Sequence, residues 1–156
     1  MLNHDLSKIQ LLLNIFLSGP KYCFDTLTPS QLEYKLAVVY VIFDKETGET
    51  LYVGRTKKLR RRIYTNHLMG PEANARLKKY LVDDPLQTSV NGMDEAKKFL
   101  KDRCYFQYIA VEDTRRRGQL EGLFSYLLDI RYIHEEHQHE KMEPVRPVPL
   151  MPNLEQ

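Results

Sequence analysis

The sequence has few of the features that mark secreted, membrane-spanning or disulfide-rich proteins. Its 156 residues include two cysteines, Cys23 and Cys104, whose spacing fits no metal-ligand motif. One possible bridge is a weak disulfide signal, so we predict two free thiols in a reducing compartment. The first residues lack a basic leader with an apolar core, and no apolar run approaches the roughly 18 residues of a membrane span. We therefore expect a soluble, cytoplasmic protein without a membrane partner.

The sequence also has little net charge. Its 23 Lys and Arg residues nearly balance its 21 Asp and Glu residues, which leaves a formal net charge of +2. The distribution of charge is uneven, and it says more about partners than the total does. A basic cluster at the beginning of a helix opposes the helix dipole, which an anionic partner would relieve. The alternative interpretation is a solvated helix face. We predict contacts with a nucleic-acid backbone for Arg55, Lys57, Lys58, Arg60 and Arg61.

Two strands joined by a turn form the middle of the sequence. Residues 38–43 are continuously apolar and rich in β-branched side chains, which predicts a central strand covered on both faces. A turn at Gly48 leads into a second strand over residues 51–56. Thr56 can cap a following helix. Residues 105–111 have the composition of a third strand.

Apolar periodicity predicts helices around these strands. Residues 6–17 show the spacing of three and four residues that is typical of an amphipathic helix. Residues 28–31 offer a capping hydroxyl, a proline at the first helical position and a glutamine three residues after the cap, which predicts a short second helix. Further helices are predicted over residues 75–82 and 94–102, and from Thr114 onward.

Together these elements predict an α/β (α+β) fold in which a small, mainly antiparallel three-stranded sheet is flanked by helices. The chain length suits one domain with short extensions. We divide it into an N-terminal helical extension (1–36), a central domain (37–133) and a charged, then proline-rich tail (134–156). The extension is expected to cover one face of the core. The alternatives are a homodimer contact through its helix or an additional DNA contact.

The order of motifs in the central domain resembles the GIY-YIG nuclease family. Val38-Val39-Tyr40 stands at the first family tripeptide, without its leading glycine, and Tyr52-Val53-Gly54 stands at the second. Arg62 follows ten residues after Tyr52, as the family's arginine does. Arg117-Gly118-Gln119-Leu120-Glu121 is similar to the family helix that carries a metal-binding glutamate. The resemblance implies a GIY-YIG-like domain that acts as a divalent-metal-dependent endonuclease on DNA phosphodiesters.

The resemblance also implies roles for individual side chains. Tyr40 would accept the proton of the attacking water, and Tyr52 would orient the phosphate or the water. A tyrosine is a poor base at neutral pH unless a nearby cation lowers its pKa, and we expect Arg62 or the metal to do so. The planar guanidinium of Arg62 suits a phosphate. Taken without the family pattern, a strand tyrosine is more often a core residue with a polar tip.

Glu121 is the candidate metal ligand. It lies at the margin of the apolar stripe of its helix, which predicts a carboxylate at the sheet surface. Mg²⁺, or Mn²⁺ in its place, suits such a site because Mg²⁺ keeps several waters and often uses only one or two carboxylates. The alternative is an ordinary solvated glutamate at a helix edge.

The family's histidine or tyrosine, four residues after the arginine, has no direct counterpart. That position is Asn66, and His67 is one residue further. On a regular helix His67 would point about 140° away from Arg62. If the helix ends or bulges between Tyr64 and Asn66, His67 turns toward the phosphate instead. We favour His67 as the catalytic residue because Thr65 and Asn66 are weak helix formers.

Two other functions stay open at this stage. One is a GIY-YIG-like module that binds nucleic acid without cleaving it, and the other is a regulatory protein whose basic helix docks on an acidic partner. Binding alone needs cations but not the mixed set of Tyr40, Tyr52, Arg62 and Glu121, which favours a nuclease. No zinc finger or helix-turn-helix pattern indicates a target site.

Overall fold

The central strand of the sheet is β2 (Val38–Asp44), and every one of its residues is buried. In the computed structural model, which describes residues 2–133, 136–137 and 147–148, β2 pairs antiparallel with β3 (Thr50–Thr56) on one side. On its other side it pairs antiparallel with β4 (Cys104–Ala110). The predicted tail of residues 134–156 lies outside the described residues except at 136–137 and 147–148.

The sheet has four strands, which corrects the prediction of three. The additional strand, β1 (Tyr22–Cys23), pairs with β4 and gives the order β1-β4-β2-β3. Two residues are too few to show a period-2 pattern, so sequence periodicity could not reveal this strand. The Tyr22 ring stacks on Phe106 with ring centroids 5.3 Å apart, which joins β1 to the core. Because β1 pairs with β4, β3 is left as an edge strand.

One face of the sheet is covered by the first and the last long helix. Val39 and Val41 of β2 pack with Phe16 of α1 (Leu2–Ser18) and Phe124 of α4 (Thr114–Leu127). The two phenylalanine rings stack with centroids 4.4 Å apart. Helix α1 therefore covers this face of the core, as predicted, while dimerisation through it stays a prediction. None of the described helices is long and apolar enough to cross a membrane.

The opposite face carries Tyr40 and Ile42, which pack beneath three helical segments. These are a π-helix (Arg61–Leu68), α2 (Arg76–Asp83) and α3 (Met93–Arg103). The predicted capping pattern before the sheet forms a 3₁₀ turn (Pro29–Gln31), in which the Thr28 N–H donates to Gln31 Oε1 at 2.9 Å. Cys23 and Cys104 are both free thiols.

A buried ion pair ties the segment after α4 to the rest of the fold. Arg131 Nε donates to Asp84 Oδ2 at 2.8 Å, and the Tyr132 hydroxyl donates to the same oxygen at 2.7 Å. The Arg131 N–H also donates to the carbonyl of Thr50 at 3.0 Å. Burial raises the pKa of Asp84, but its hydrogen bonds to Arg131 and Tyr132 outweigh burial, so the net pKa is lowered. Beyond this clamp, β5 (Tyr132–Ile133) pairs with β6 (Glu136–His137).

Candidate active site

A cavity of about 720 Å³ opens at β3, the edge strand, and receives side chains from both faces of the sheet. Tyr40 and Tyr52 come from the face below the π-helix, whereas Glu121 comes from α4 on the other face. An interior strand would separate these two groups, and only an edge lets them meet. The charged and phenolic side chains that line the cavity are Tyr40, Tyr52, Arg55, Arg62, Arg76, Glu121, Tyr126, Asp129 and Tyr132.

Gly54 makes room for Tyr40. The two residues face each other across the β2–β3 ladder. A Cβ at Gly54 would overlap the hydroxyl and the ring of Tyr40, which is almost fully buried and cannot move aside. The Tyr40 and Tyr52 rings stack with centroids 6.1 Å apart, which places both phenols at the predicted site. The second tripeptide therefore ends in glycine because the first tripeptide's tyrosine lies across it.

The π-helix directs Asn66 and His67 to different surroundings. Its hydrogen bonds run from residue i to i+5, as from the Met69 N–H to the Tyr64 carbonyl at 3.0 Å, so residues five apart lie close to one face. The helix is thus bulged, and His67 turns inward: its Nε2 lies 2.6 Å from the Tyr40 hydroxyl oxygen. Asn66 lines a separate hollow of about 280 Å³. Which of the two acts in catalysis stays a prediction.

Lys78 and Gly70 hold the end of the π-helix in place. The Lys78 ammonium is buried and donates to the carbonyl of Leu68 at 3.0 Å and to that of Gly70 at 2.7 Å. These are carbonyls at the end of a helix, which need partners when buried. A Cβ at Gly70 would overlap the Asn66 carbonyl oxygen, so this chain path requires glycine. Because Leu68 adjoins His67, these bonds hold the backbone next to the imidazole.

Burial keeps both members of the Tyr40–His67 pair neutral. Desolvation, followed by the charges of Arg62, Lys78 and Arg76, lowers the pKa of His67 to about 3. Desolvation, followed by Tyr52, raises the pKa of Tyr40 well above its usual range. Arg62 acts to lower the pKa of Tyr40, as expected, but burial outweighs it, so the net pKa is raised. The arrangement fits a Tyr40 O–H that donates to a neutral His67, whose buried Nδ1 has no hydrogen-bond partner among the described residues.

Glu121 faces the cavity with its side chain 34% exposed, and Arg55 Nε lies 3.7 Å from its Oε1. Desolvation raises the pKa of Glu121 although Arg55, Arg76 and Arg62 act to lower it. Gly118, one turn earlier on α4, lies against the Arg55 guanidinium, and a Cβ there would overlap Arg55 Nη1. The absence of a side chain at Gly118 thus leaves room for Arg55 to approach Glu121.

The carboxylates of the cavity suit a hard divalent cation that is bound by few protein ligands. Within residues 5–133, whose side chains are described, no cluster of three or more His, Cys, Asp or Glu side chains could enclose a metal. Two carboxylates line the cavity, the partly buried Glu121 and the exposed Asp129. Arg55, which forms the ion pair with Glu121, is at the long end of ion-pair distances. Mg²⁺ is bound by one or two carboxylates with waters and substrate phosphate completing its shell, so the donor set fits Mg²⁺ and not a closed zinc-type site.

The structure separates the five predicted nucleic-acid contacts. Lys57, Lys58 and Arg61 are exposed and line the hollow beside Arg62, as a phosphate-binding surface would require. Arg60 does not join them, because its Nε donates to the carbonyl of Leu32 at 2.9 Å and its guanidinium lies over the Tyr34 ring. The inclusion of Arg60 in the contact set stays a prediction.

Arg76 is a cavity residue that the sequence did not reveal. It is the first residue of α2, is exposed, and its charge acts on Tyr52, His67 and Glu121. No motif marks it, since only the packing of α2 against the π-helix brings it to the site. Tyr126 also lines the cavity. It does not belong to the apolar stripe of α4, so no sequence pattern indicated its position.

Comparison with known proteins gives one match. A family model described as the GIY-YIG catalytic domain matches residues 36–110. The matched segment contains Tyr40, Tyr52, Arg62 and His67, and Glu121 lies beyond it. Comparisons with curated proteins and with solved structures found no match.

The lowered pKa of His67 predicts a specific dependence of stability on pH. The unfolded chain takes up a proton on this residue below about pH 6.5, whereas the folded chain does so only near pH 3. Stability from this residue is therefore complete above about pH 6.5 and is lost as the pH falls. We expect the free energy of unfolding to drop by about 2 kcal/mol more between about pH 7.5 and about pH 5 in the parent than in His67→Gln.

Urea unfolding followed by circular dichroism at the two pH values measures this difference. The other four histidines are the same in both proteins, so their contribution cancels in the comparison. Equal pH dependence in the two proteins would show that His67 titrates as a solvated imidazole.

Proposed function

Since the chain belongs to the GIY-YIG family through residues 36–110, we propose that it is a divalent-metal-dependent endonuclease that hydrolyses phosphodiester bonds in DNA. A nuclease-type function follows from the family. The observation that supports catalysis in this chain is the buried hydrogen bond of 2.6 Å between Tyr40 and His67, placed beside Arg62 and Glu121 in one open cavity. A buried pair of neutral groups adds little to DNA binding, which depends on exposed cations. It does provide a path for a proton.

We assign the proton path to Tyr40 and His67. As a water oxygen attacks phosphorus, the water proton passes to the Tyr40 oxygen, while the Tyr40 proton moves along the existing hydrogen bond to His67 Nε2. The bond from phosphorus to the leaving oxygen breaks, and that oxygen takes a proton from solvent. The neutral state of His67 leaves this nitrogen able to accept. In this way a phenol whose pKa is raised can serve without first becoming a phenolate. Tyr52, stacked on Tyr40, orients the water or the phosphate.

The cationic wall holds the phosphate. Arg62 offers a planar fork to two phosphate oxygens, and Arg76 and Arg55 line the same cavity. Their charges oppose the negative charge that accumulates as the water attacks. Glu121 would hold Mg²⁺ or Mn²⁺. When bound, the ion supplies Lewis-acid stabilisation of the phosphoryl and leaving oxygens.

The two rival functions account for less of this geometry. A module that only binds nucleic acid, or a basic helix that docks on an acidic protein, would use Lys57, Lys58 and Arg61 on the surface. Neither would require Gly54 to admit Tyr40, nor a bulged helix to direct His67 at it.

Glu121→Gln tests the metal assignment. The amide has nearly the same shape but is a poorer ligand for a hard cation, so we expect cleavage of supercoiled plasmid with Mg²⁺ or Mn²⁺ to fall by about a hundredfold or more. DNA binding without metal, measured by fluorescence anisotropy, should stay near the parental value. Glu112→Gln is the matched control, since Glu112 is exposed and does not line the cavity. A Glu121→Gln protein that cuts at the parental rate would show that Glu121 is not the metal ligand.

Single-turnover cleavage by His67→Ala and Asn66→Ala separates the two candidates of the π-helix. Loss of His67 removes the proton acceptor of Tyr40, and we expect a rate reduction of at least about a hundredfold. Asn66 lies in the neighbouring hollow, so its loss should change the rate by less than about threefold at saturating DNA. A larger loss for Asn66→Ala, with His67→Ala near the parental rate, would show that the proton path is assigned to the wrong residue.

The salt dependence of DNA binding distinguishes the basic residues from one another. Replacement of Lys57 or Arg61 by Ala should weaken binding to all sequences alike and reduce the slope of log K against log salt by roughly one unit. Arg60→Ala is the internal control and should leave the slope unchanged, because the guanidinium of Arg60 is directed at Leu32 and Tyr34. If neither Lys57→Ala nor Arg61→Ala alters the slope, docking on an acidic protein becomes the better interpretation of the basic cluster.

A further inference from the structure

The cavity has an apolar wall that the hydrolysis does not use. In addition to the arginines, it is lined by Val53 of β3, Tyr126 of α4, and Ile130 and Ile133 of the following segment, and the exposed Asp129 precedes Ile130 there. Tyr126 is 66% exposed, although large aromatic side chains are usually well covered. A phosphate group needs positive charge, which this wall does not supply.

Tyr126 and the candidate metal ligand Glu121 both line the cavity from α4. They are five residues apart, which corresponds to about 7.5 Å along the helix axis and about 140° around it. Gly122 lies between them on the cavity side, and a Cβ there would meet no atom within 4 Å. The floor between the carboxylate and the aromatic ring is therefore open.

The wall is held by the fold and does not have to form around a ligand. Asp129 adopts a positive φ of 48°, which reverses the chain after α4 and returns Ile130 to the sheet, where it is buried. The Arg131–Asp84 ion pair of 2.8 Å then fastens the segment to the end of α2. Tyr126 thus projects from a rigid helix beside a rigid turn.

We propose that this apolar wall is a nucleobase subsite, in which Tyr126 stacks on an unpaired base next to the phosphodiester that is cut. The inference rests on the proposed endonuclease function, because the phosphate must occupy the Arg62 side of the same cavity. An aromatic ring stacks on any base, so the subsite selects nucleotide conformation and not sequence. It therefore favours an unpaired nucleotide over a particular base.

The energetics explain why the base must already be unpaired. Stacking on one aromatic ring contributes a free energy of the same order as the cost of unpairing and unstacking one base. The stacking free energy of a single exposed tyrosine is therefore not large enough to extract a base from an intact duplex. Such a site discriminates in favour of DNA in which a bulge, flap or gap has already freed the base.

Matched DNA substrates test the subsite in single-turnover cleavage with Mg²⁺. One duplex is fully paired, a second carries one unpaired nucleotide beside the cut, and a third carries an abasic residue at that position. We expect the parent to cut the second duplex about tenfold faster than the other two. Tyr126→Ala should abolish that advantage and cut all three at similar rates, whereas Tyr126→Phe should keep it because the phenyl ring still stacks. Tyr34→Ala, which removes another exposed tyrosine remote from the cavity, should match the parent.

A binding measurement separates failure of the subsite from failure of the nuclease proposal. 2-Aminopurine at the unpaired position reports stacking by loss of fluorescence, and Glu121→Gln protein without metal keeps the DNA intact. Quenching that disappears in the Tyr126→Ala/Glu121→Gln double variant supports the subsite even if the parent fails to cut. Cleavage that proceeds without Tyr126-dependent quenching, or equal losses for Tyr126→Ala on all three duplexes, overturns the subsite and leaves the wall to a protein partner.

Discussion

The hydrogen bond between Tyr40 and His67 is the constraint on which the site depends. It forms only because Gly54 has no side chain where the Tyr40 ring crosses β3. It also requires the helix over residues 61–68 to be bulged, since a regular helix would direct Asn66 toward the sheet. The Lys78 ammonium secures that irregular helix by binding its last carbonyls. A glycine, a π-helix and a buried lysine in three separate elements thus serve one contact of 2.6 Å.

The same burial that fixes this contact sets its chemistry. Arg62 and Arg76, which suit a phosphate, also hold the pKa of His67 low. In the absence of substrate, His67 is therefore a weak base. Under the proposed function, a bound phosphate offsets the positive charge of the arginines, so the imidazole becomes a better proton acceptor when the substrate arrives. Binding of the substrate and readiness for proton transfer are in this way electrostatically linked.

Much of this could be predicted from sequence, because several patterns were local. The apolar run of β2, the Gly48 turn and the motif tyrosines required only neighbours in the chain, and the structure brings Tyr40, Tyr52, Arg62 and Glu121 to one cavity. Sequence left His67 and Asn66 as alternatives, since the bulge depends on Lys78 and Gly70, whose contacts are tertiary. It also missed β1, which is too short for periodicity, and Arg76, which only the packing of α2 brings to the site.

The position of the cavity at a sheet edge has a cost and a use. An unpaired edge strand invites association with other chains, and proteins usually cover or interrupt such edges. Here the Arg131 N–H caps β3 at Thr50, and the Arg131–Asp84 clamp holds the covering segment there. The other end of β3, from Tyr52 to Arg55, borders the cavity. Since residues from opposite faces of a sheet can meet only around an edge, this opening is what allows Glu121 of α4 to share a site with Tyr40.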